Sequence, residues 1–498
     1  ETCAMSYRGN AIVCDRTLVI WLFVVMLTPA IGAEQLALDG ALAIAFDRSP
    51  TIREARHGLE ISRRNLLAQR AALKSKFSLI LTPYEFTRDR VFNALVSDYN
   101  TQEQTHVGGR LSIQQPIEFT DGSLSVVQAL DWREASSSFA GSGSQKTYSN
   151  SLFLRYSQPL FTYNRTRLNL ESLELDLENA QLNFAIQKLQ IENQVTRLFL
   201  DLYFKQRSVA ISVEELKNAT QSLEIIQSKV NAGISAREEA YQADLTRANS
   251  RASLENGQLQ YDDALDRFKI QLGQPLDLEV EVTADVSKQL VEVDLDRATA
   301  YGIENRMELR QRDLAVRQAM DDLIRTGAQN EFRGTIDVTY GLIGTDESLA
   351  DLYSSPTRNQ AVALQRNIPL FDWGEREHRM AAAREKIASR ELSAEEERRQ
   401  ILLEIRQAHR NLRSQVTQIT IAEKSVENAR RTYDINLERY RNGDLSSKDI
   451  AFYQDQLSRQ QLNKVRALID YRLALLDLKV RTLWDFAADE PVVTLDPN

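Results

Sequence analysis

Side chains able to do covalent, metal or acid–base chemistry are sparse in this 498-residue chain. Its four histidines, His57, His106, His378 and His409, are scattered, and none sits in an HxxxH spacing, so no metal site is expected. The only cysteines are Cys3 and Cys14, both close to the start. No GxSxG, P-loop, HExxH or Rossmann glycine pattern occurs, so neither an enzyme nor a bound cofactor is expected. What does recur is an acid a short way beyond a glycine. Glu238 and Glu239 follow Gly233, and Asp449 follows Gly443, with Tyr440 three residues before that glycine. An acid in the first turn of a helix is favoured by the helix dipole and is ordinarily solvated.

The elements that carry these residues are legible from the breakers. The chain has only 19 glycines and 10 prolines. Phe161 to Ala232 and Glu375 to Asn442 contain neither, so two very long helices are expected there. In the first, Val195, Leu198, Leu202, Val209, Val213, Leu216, Leu223 and Val230 recur at three/four spacing, which predicts a coiled-coil seam. Gly233 and Gly443 each read as a C-cap, and Ser235 and Ser446 as N-caps of return helices running to Leu272 and to about Trp484. Each territory is therefore an antiparallel helical hairpin. Elsewhere the apolar residues alternate with period two, at Leu111 and Ile113, Leu124 and Val126, Leu152 to Tyr156, and Ile336 to Tyr340. These are strand signals, bounded by turn residues such as Thr120-Asp121-Gly122, and four to six strands are expected.

The plan occurs twice. LDGALAIAFDRSPTI (38–52) is echoed by LDRATAYGIENRMEL (295–309), an offset of 257. Pro159-Leu160-Phe161 and Pro369-Leu370-Phe371 are 210 apart, as are Gly233 and Gly443. The drop in offset places about 47 extra residues in the strand-rich part of the first copy, where a further hairpin near Thr120-Asp121-Gly122, joined to the other strands or outside them, would hold them. The expected organisation is a leader at 1–33, a first repeat at 34–273, a linker at 274–294, a second repeat at 295–486 and a tail at 487–498. The leader reads as a secretory signal: Arg8 and Arg16, the apolar run Leu18 to Leu27, then Ala30-Ile31-Gly32-Ala33, with Met5 as the expected true start. That run is too short for a spanning helix, and no later stretch is long enough. The net charge of -9 and the lack of a recognition motif point away from nucleic acid.

Tandem helix–strand–hairpin repeats with a Pro-Leu-Phe junction in each, and a Tyr-x-x-Gly followed by an acid six residues on, resemble the outer-membrane efflux proteins of the TolC type. The resemblance implies a mainly α chain whose long hairpins build a trimeric α-helical barrel topped by a shared transmembrane β-barrel. It implies a homotrimer in the outer membrane of a Gram-negative-type bacterium, its barrel in contact with outer-membrane lipid and its helical part in the periplasm. It also implies a passive exit duct for a periplasmic adaptor protein and an inner-membrane RND or ABC pump, in efflux or type I secretion. Open sheet edges are not viable in lipid, and barrels need at least eight strands, so chains must combine. In such a protein the hairpin tips, here Gly233, Gly443, Ile234 and Leu445, dock the adaptor. Tyr440, Asp449, Glu239 and Glu238 fall at the periplasmic gate, and Pro159, Phe161, Pro369 and Phe371 mark the strand-to-helix junctions. The pattern departs from the family at Leu445 and Phe452, which stand where an arginine and a second acid are usual, and in its strand count, since the family has two strands per repeat. The rival reading is an exported coiled-coil structural protein, which leaves the strand blocks unexplained.

Overall fold

The computed structural model describes residues 34–94, 97–138, 143–283 and 290–492. The leader expected at 1–33 lies outside them. A short strand β1 (Glu34–Leu36) leads into helices α1 (Leu38–Arg48) and α2 (Pro50–Ala72). Pro50 sits at the start of α2, where its missing N–H costs nothing. Four long strands follow: β2 (Lys76–Asn93), β3 (Asp98–Ile117), β4 (Gly122–Ser137) and β5 (Gln145–Leu160). The first hairpin is α3 (Arg165–Asn231) and α4 (Arg237–Leu272). A short strand β6 (Val280–Val282), in the segment expected as a linker, pairs in parallel with β1. The plan then repeats with α5 (Leu295–Asn305), α6 (Met307–Gly327), β7 (Arg333–Asp346), β8 (Thr357–Asn367), α7 (Glu375–Asn442) and α8 (Ser447–Thr482). Two minor strands, β9 (Trp484–Asp485) and β10 (Glu490–Pro491), close the chain on itself.

At 1.5 Å per residue, the 67 residues of α3 and 68 of α7 make rods of about 100 Å. Rods of that length are held only by lateral packing. In α3, Leu168, Leu175, Leu182 and Leu189 are buried at strict seven-residue spacing, three of them against Met307 and Leu314 of α6. Below them Val195, Phe199 and Leu202 join Phe268 and Leu272 of α4 in a cluster closed by Ala41, Ala45 and Ile52 of α1 and α2 and by Val280 and Val282 of β6. The expected seam is only partly observed. Val195, Leu202 and Leu223 are buried, but Val213 is half exposed, and Ile211, Ala219 and Ile226 carry the packing instead. A straight helix drifts by about 20° per heptad against a 3.5-residue repeat, so one sequence stripe cannot serve the whole rod. In the second copy Ala298 of α5 packs on Ile401, Ile405 and Ala408 of α7 and Leu478 of α8.

The strands form one antiparallel sheet in the order β2-β3-β4-β5-β7-β8. The first copy thus gives four strands and the second two. The period-two signals found β3, β4, β5 and β7. They missed β2 and β8, whose apolar positions are diluted by neighbours such as Ile80, Ala361 and Ala363. The extra residues lie in the sheet itself, and Thr120-Asp121-Gly122 forms the turn between β3 and β4.

Candidate functional site

The two hairpin tips are built alike and lie together. At the end of α3, Ile234 N–H donates to the Lys229 carbonyl at 2.9 Å and Gly233 N–H to the Val230 carbonyl at 3.0 Å. At the end of α7, Asp444 N–H donates to the Arg439 carbonyl at 2.9 Å and Gly443 N–H to the Tyr440 carbonyl at 3.2 Å. The glycines have φ of 74° and 92°, left-handed values that cost an L-residue about 1 kcal/mol or more. The return helices start differently. Ser446 caps α8: its hydroxyl oxygen accepts the Asp449 N–H at 3.2 Å, and the hydroxyl donates to Asp449 Oδ2 at 2.6 Å. Ser235 does not cap α4. The residue at the cap is Ala236, which aligns with Ser446 at the offset of 210, so Ser235 falls one position early.

Glu239 supplies what the first tip lacks, but to the other hairpin. Its Oε2 accepts the backbone N–H of Ser447, the first residue of α8, at 2.7 Å. Tyr440, fully buried, donates its hydroxyl to the Ser222 carbonyl of α3 at 3.1 Å and shares a 3.2 Å hydrogen bond with Ser447 Oγ. Burial first, and then the nearby Glu239 charge, push the Tyr440 phenol above its usual range against the Ser447 bond. The Lys229 ammonium lies 5.1 Å over the Tyr440 ring and donates to the Tyr440 carbonyl, a cation on the open carbonyl end of α7. Around these bonds Leu223, Ile226, Ala243, Tyr433, Ile450 and Leu457 form a small core between the hairpins.

Of the eight residues expected at gate and tip, Tyr440 and Glu239 converge on Ser447. Asp449 sits two residues further along α8, on another face, with an exposed carboxylate. Phe452, on the next turn of the same face, is also exposed. Glu238, Gly233, Ile234 and Gly443 are exposed, whereas Leu445 is half-buried against the tip core. Sequence reading passed over Lys229 and Ser447. The offset of 210 pairs Lys229 with Arg439, so both copies carry a cation there, but nothing local signals that Lys229 crosses to the other hairpin.

At the opposite end the register divides the sheet into two faces. Leu79 of β2, Leu111 of β3, Leu152 and Leu154 of β5, Val338 and Tyr340 of β7 and Val362 of β8 share one face, all exposed. The other carries Ser78, Ser112, Arg110, Asp131, Ser151, Arg155 and Thr339, with Ala129 and Gly341. This is the alternation of a sheet with lipid on one side and water on the other. Where sheet meets helices, Phe119, Phe161, Leu370, Phe371 and Trp373 are exposed. The residues at that level match an aromatic girdle at a bilayer interface. The two junctions differ in detail. Pro159 lies in β5 and Phe161 adopts φ 59° and packs on Phe332 at 5.3 Å. Pro369 follows β8, and there the left-handed residues are Trp373 and Gly374, with Trp373 edge-on to Phe371 at 4.6 Å. No helix among the described residues is long and apolar enough to cross a membrane, and none of their acids and histidines cluster as a metal site.

Residues 41–274 and 302–480 match the outer membrane efflux protein family. The chain belongs to the outer membrane efflux protein family. It is accordingly an outer-membrane channel with its helical part in the periplasm. Solved structures share the fold. The Campylobacter jejuni CmeC outer membrane channel is 14% identical, with 89% of this chain and 85% of that one covered and a TM-score of 0.68. A membrane protein of Pseudomonas aeruginosa is 15% identical over 89% and 90%, with a TM-score of 0.67. The open state of the Neisseria gonorrhoeae MtrE outer membrane channel is 14% identical over 89% and 88%, with a TM-score of 0.65. No curated protein matches the sequence.

Proposed function

We propose that three copies of this chain close one β-barrel and one helical tube, forming the exit duct through which an inner-membrane RND or ABC pump, joined by a periplasmic adaptor, expels its cargo. The observation that carries this reading is the open sheet. Among the described residues β2 and β8 each have one neighbour, which leaves edges of 18 and 11 residues beside an apolar outer face. An unpaired backbone group in lipid costs several kcal/mol, so such edges must pair with other copies. The exposed Gly233, Ile234 and Gly443 are the surface offered to the adaptor. Tyr440 and Glu239 hold the two hairpins together, and Asp449 with Glu238 supplies charge at the periplasmic mouth. A ring of Asp449 carboxylates would favour cations there. The same open sheet argues against an exported structural coiled coil, which has no use for a lipid-facing surface.

The test is envelope fractionation followed by light scattering on the detergent-solubilised protein. An outer-membrane particle of three chains supports the reading. A soluble or monomeric protein removes it. Co-purification of adaptor and pump through the tips, lost when Gly233 and Gly443 are both replaced by Asp, tests the docking part.

A further inference from the structure

The sheet has two strands more than the repeat plan requires. The second copy contributes a simple pair, β7 and β8, and β4 with β5 is its counterpart in the first. β2 and β3 are additional, and they continue the sheet without interruption. The β2–β3 pairing runs from Lys76↔Gln114 to Asn93↔Asp98 with one irregularity at Thr82/Glu85, and β3–β4 from Gln102↔Ser137 to Ile117↔Gly122 with none.

The added pair is also anchored at the helical end. Asp121, in the β3–β4 turn, accepts both the backbone N–H of Thr166 at 3.1 Å and its hydroxyl at 2.6 Å, at the start of α3. Asn164 Nδ2 donates to the Glu118 carbonyl at 2.6 Å, and Gln158 Nε2 to the Thr120 carbonyl at 2.6 Å. Gln115 Nε2 donates to the Leu73 carbonyl at 2.8 Å, tying β3 to the end of α2. The apolar face runs on across it: Phe77 and Ile113 fall in line with Val126, Leu154 and Tyr340, and Leu79 and Leu111 with Leu152 and Leu342. A hairpin lying outside the barrel would have neither the anchors nor a continuous lipid face.

We propose that the outer-membrane barrel of this channel has eighteen strands, six from each of three chains, with β2 of one copy closing on β8 of the next. This rests on the trimeric reading above. Two strands per repeat would give twelve. Barrel diameter grows about linearly with strand number, so at equal tilt the circumference is about 1.5-fold larger and the cross-section about 2.2-fold larger. Barrels of this size class leave an open aqueous lumen rather than one filled by side chains. The exit is therefore sized for bulkier cargo than the twelve-stranded plan passes.

Cysteine cross-linking on outer membranes tests this, in full-length protein with Cys3 and Cys14 replaced by Ser. Val362→Cys is combined in turn with Phe77→Cys, Leu79→Cys or Leu81→Cys of β2, and in a second set with Leu124→Cys or Val126→Cys of β4. All these positions lie on the lipid face, where a small substitution is tolerated. The expected result is oxidant-dependent covalent dimers and trimers from a β2–β8 pair and only monomers from the β4–β8 pairs. Trimeric particles that cross-link through β4–β8 overturn the proposal and leave the trimeric duct standing. Particles that are not trimeric by light scattering overturn both.

Discussion

Glu239 of one helical hairpin caps the first turn of the other: its carboxylate accepts the Ser447 N–H at 2.7 Å. The bond is charge-assisted and partly buried, and it joins two segments 208 residues apart at the end of two rods of about 100 Å. Glu239→Ala is expected to weaken the tip by about 1–2 kcal/mol and to loosen the second hairpin relative to the first. In planar bilayers the resting conductance should rise, and protease cleavage near Gly233 and Gly443 should speed up. Glu239→Gln, which keeps an acceptor, should fall between. Identical conductance and cleavage for all three proteins would show that the cross-hairpin bond does not hold the mouth.

Asp449 has two separable contributions. Its backbone N–H and carboxylate both bond Ser446, and its charge faces solvent at the hairpin tips. Asp449→Asn keeps an acceptor for the cap and removes the charge; Asp449→Ala removes both. If the charge selects ions, both variants lower cation preference in reversal-potential measurements, and Asp449→Ala also raises resting conductance. If Asp449 only stabilises the helix start, Asp449→Asn leaves the reversal potential where it was.

Tyr440→Phe deletes a hydroxyl that is fully buried and bonded to the Ser222 carbonyl and Ser447. The ring keeps its packing and its cation contact with Lys229. The cost is the two lost bonds, one of which leaves the buried Ser447 hydroxyl without the phenol, about 1–2 kcal/mol. Thermal melting of the detergent-solubilised protein should drop by a few degrees, with the assembly intact.

Much of this was legible from residues and much was not. The glycine-free spans set the rods because nothing within them breaks a helix, and the observed α7 fills 375–442. The tip glycines were legible because a left-handed φ leaves few alternatives. Ser235 was misassigned as a cap because a one-residue shift in a tight turn leaves no mark on composition. Val213 was misassigned to the seam because helical drift, not local pattern, decides which stripe is inside. The convergence of Glu239, Tyr440, Lys229 and Ser447 is a tertiary fact between segments about 210 apart, and single-helix spacing carries no trace of it. Strand β2 was hidden for a related reason, since Leu79-Ile80-Leu81 is a run and not an alternation.

Glu215 gives the packed helical hairpins a pH dependence. Burial, and then the charge of Asp455, raise its carboxyl above the ordinary value of 4.5, against bonds from Ser250 and Ser458. A folded-state value above the unfolded one means that the folded protein binds more protons between the two. Stability is then greatest below the unfolded value, falls as pH rises through the window between the two, and stays reduced above it. Glu215→Gln should melt higher than the parent at pH 7 and equal to it below about pH 4. A variant that melts lower at pH 7 would show that the carboxylate is stabilised in the assembly.

The two faces of the sheet respond oppositely to an added charge. Leu154 and Ser151 are three residues apart on β5, so they point to opposite sides of the sheet, Leu154 with Tyr340 and Ser151 with the polar set. An arginine on the lipid side of a barrel costs about 2–4 kcal/mol near the bilayer midplane, whereas one on the lumen side meets water. Leu154→Arg should therefore lower the yield of outer-membrane protein and its resistance to unfolding in urea. Ser151→Arg should assemble normally and shift the channel toward anions, since it adds a positive charge to the face that carries Arg155 and Arg110. The reverse pattern, with Ser151→Arg failing to assemble and Leu154→Arg assembling, would mean that the sheet curls the other way and that the residues taken as lipid-facing line the pore.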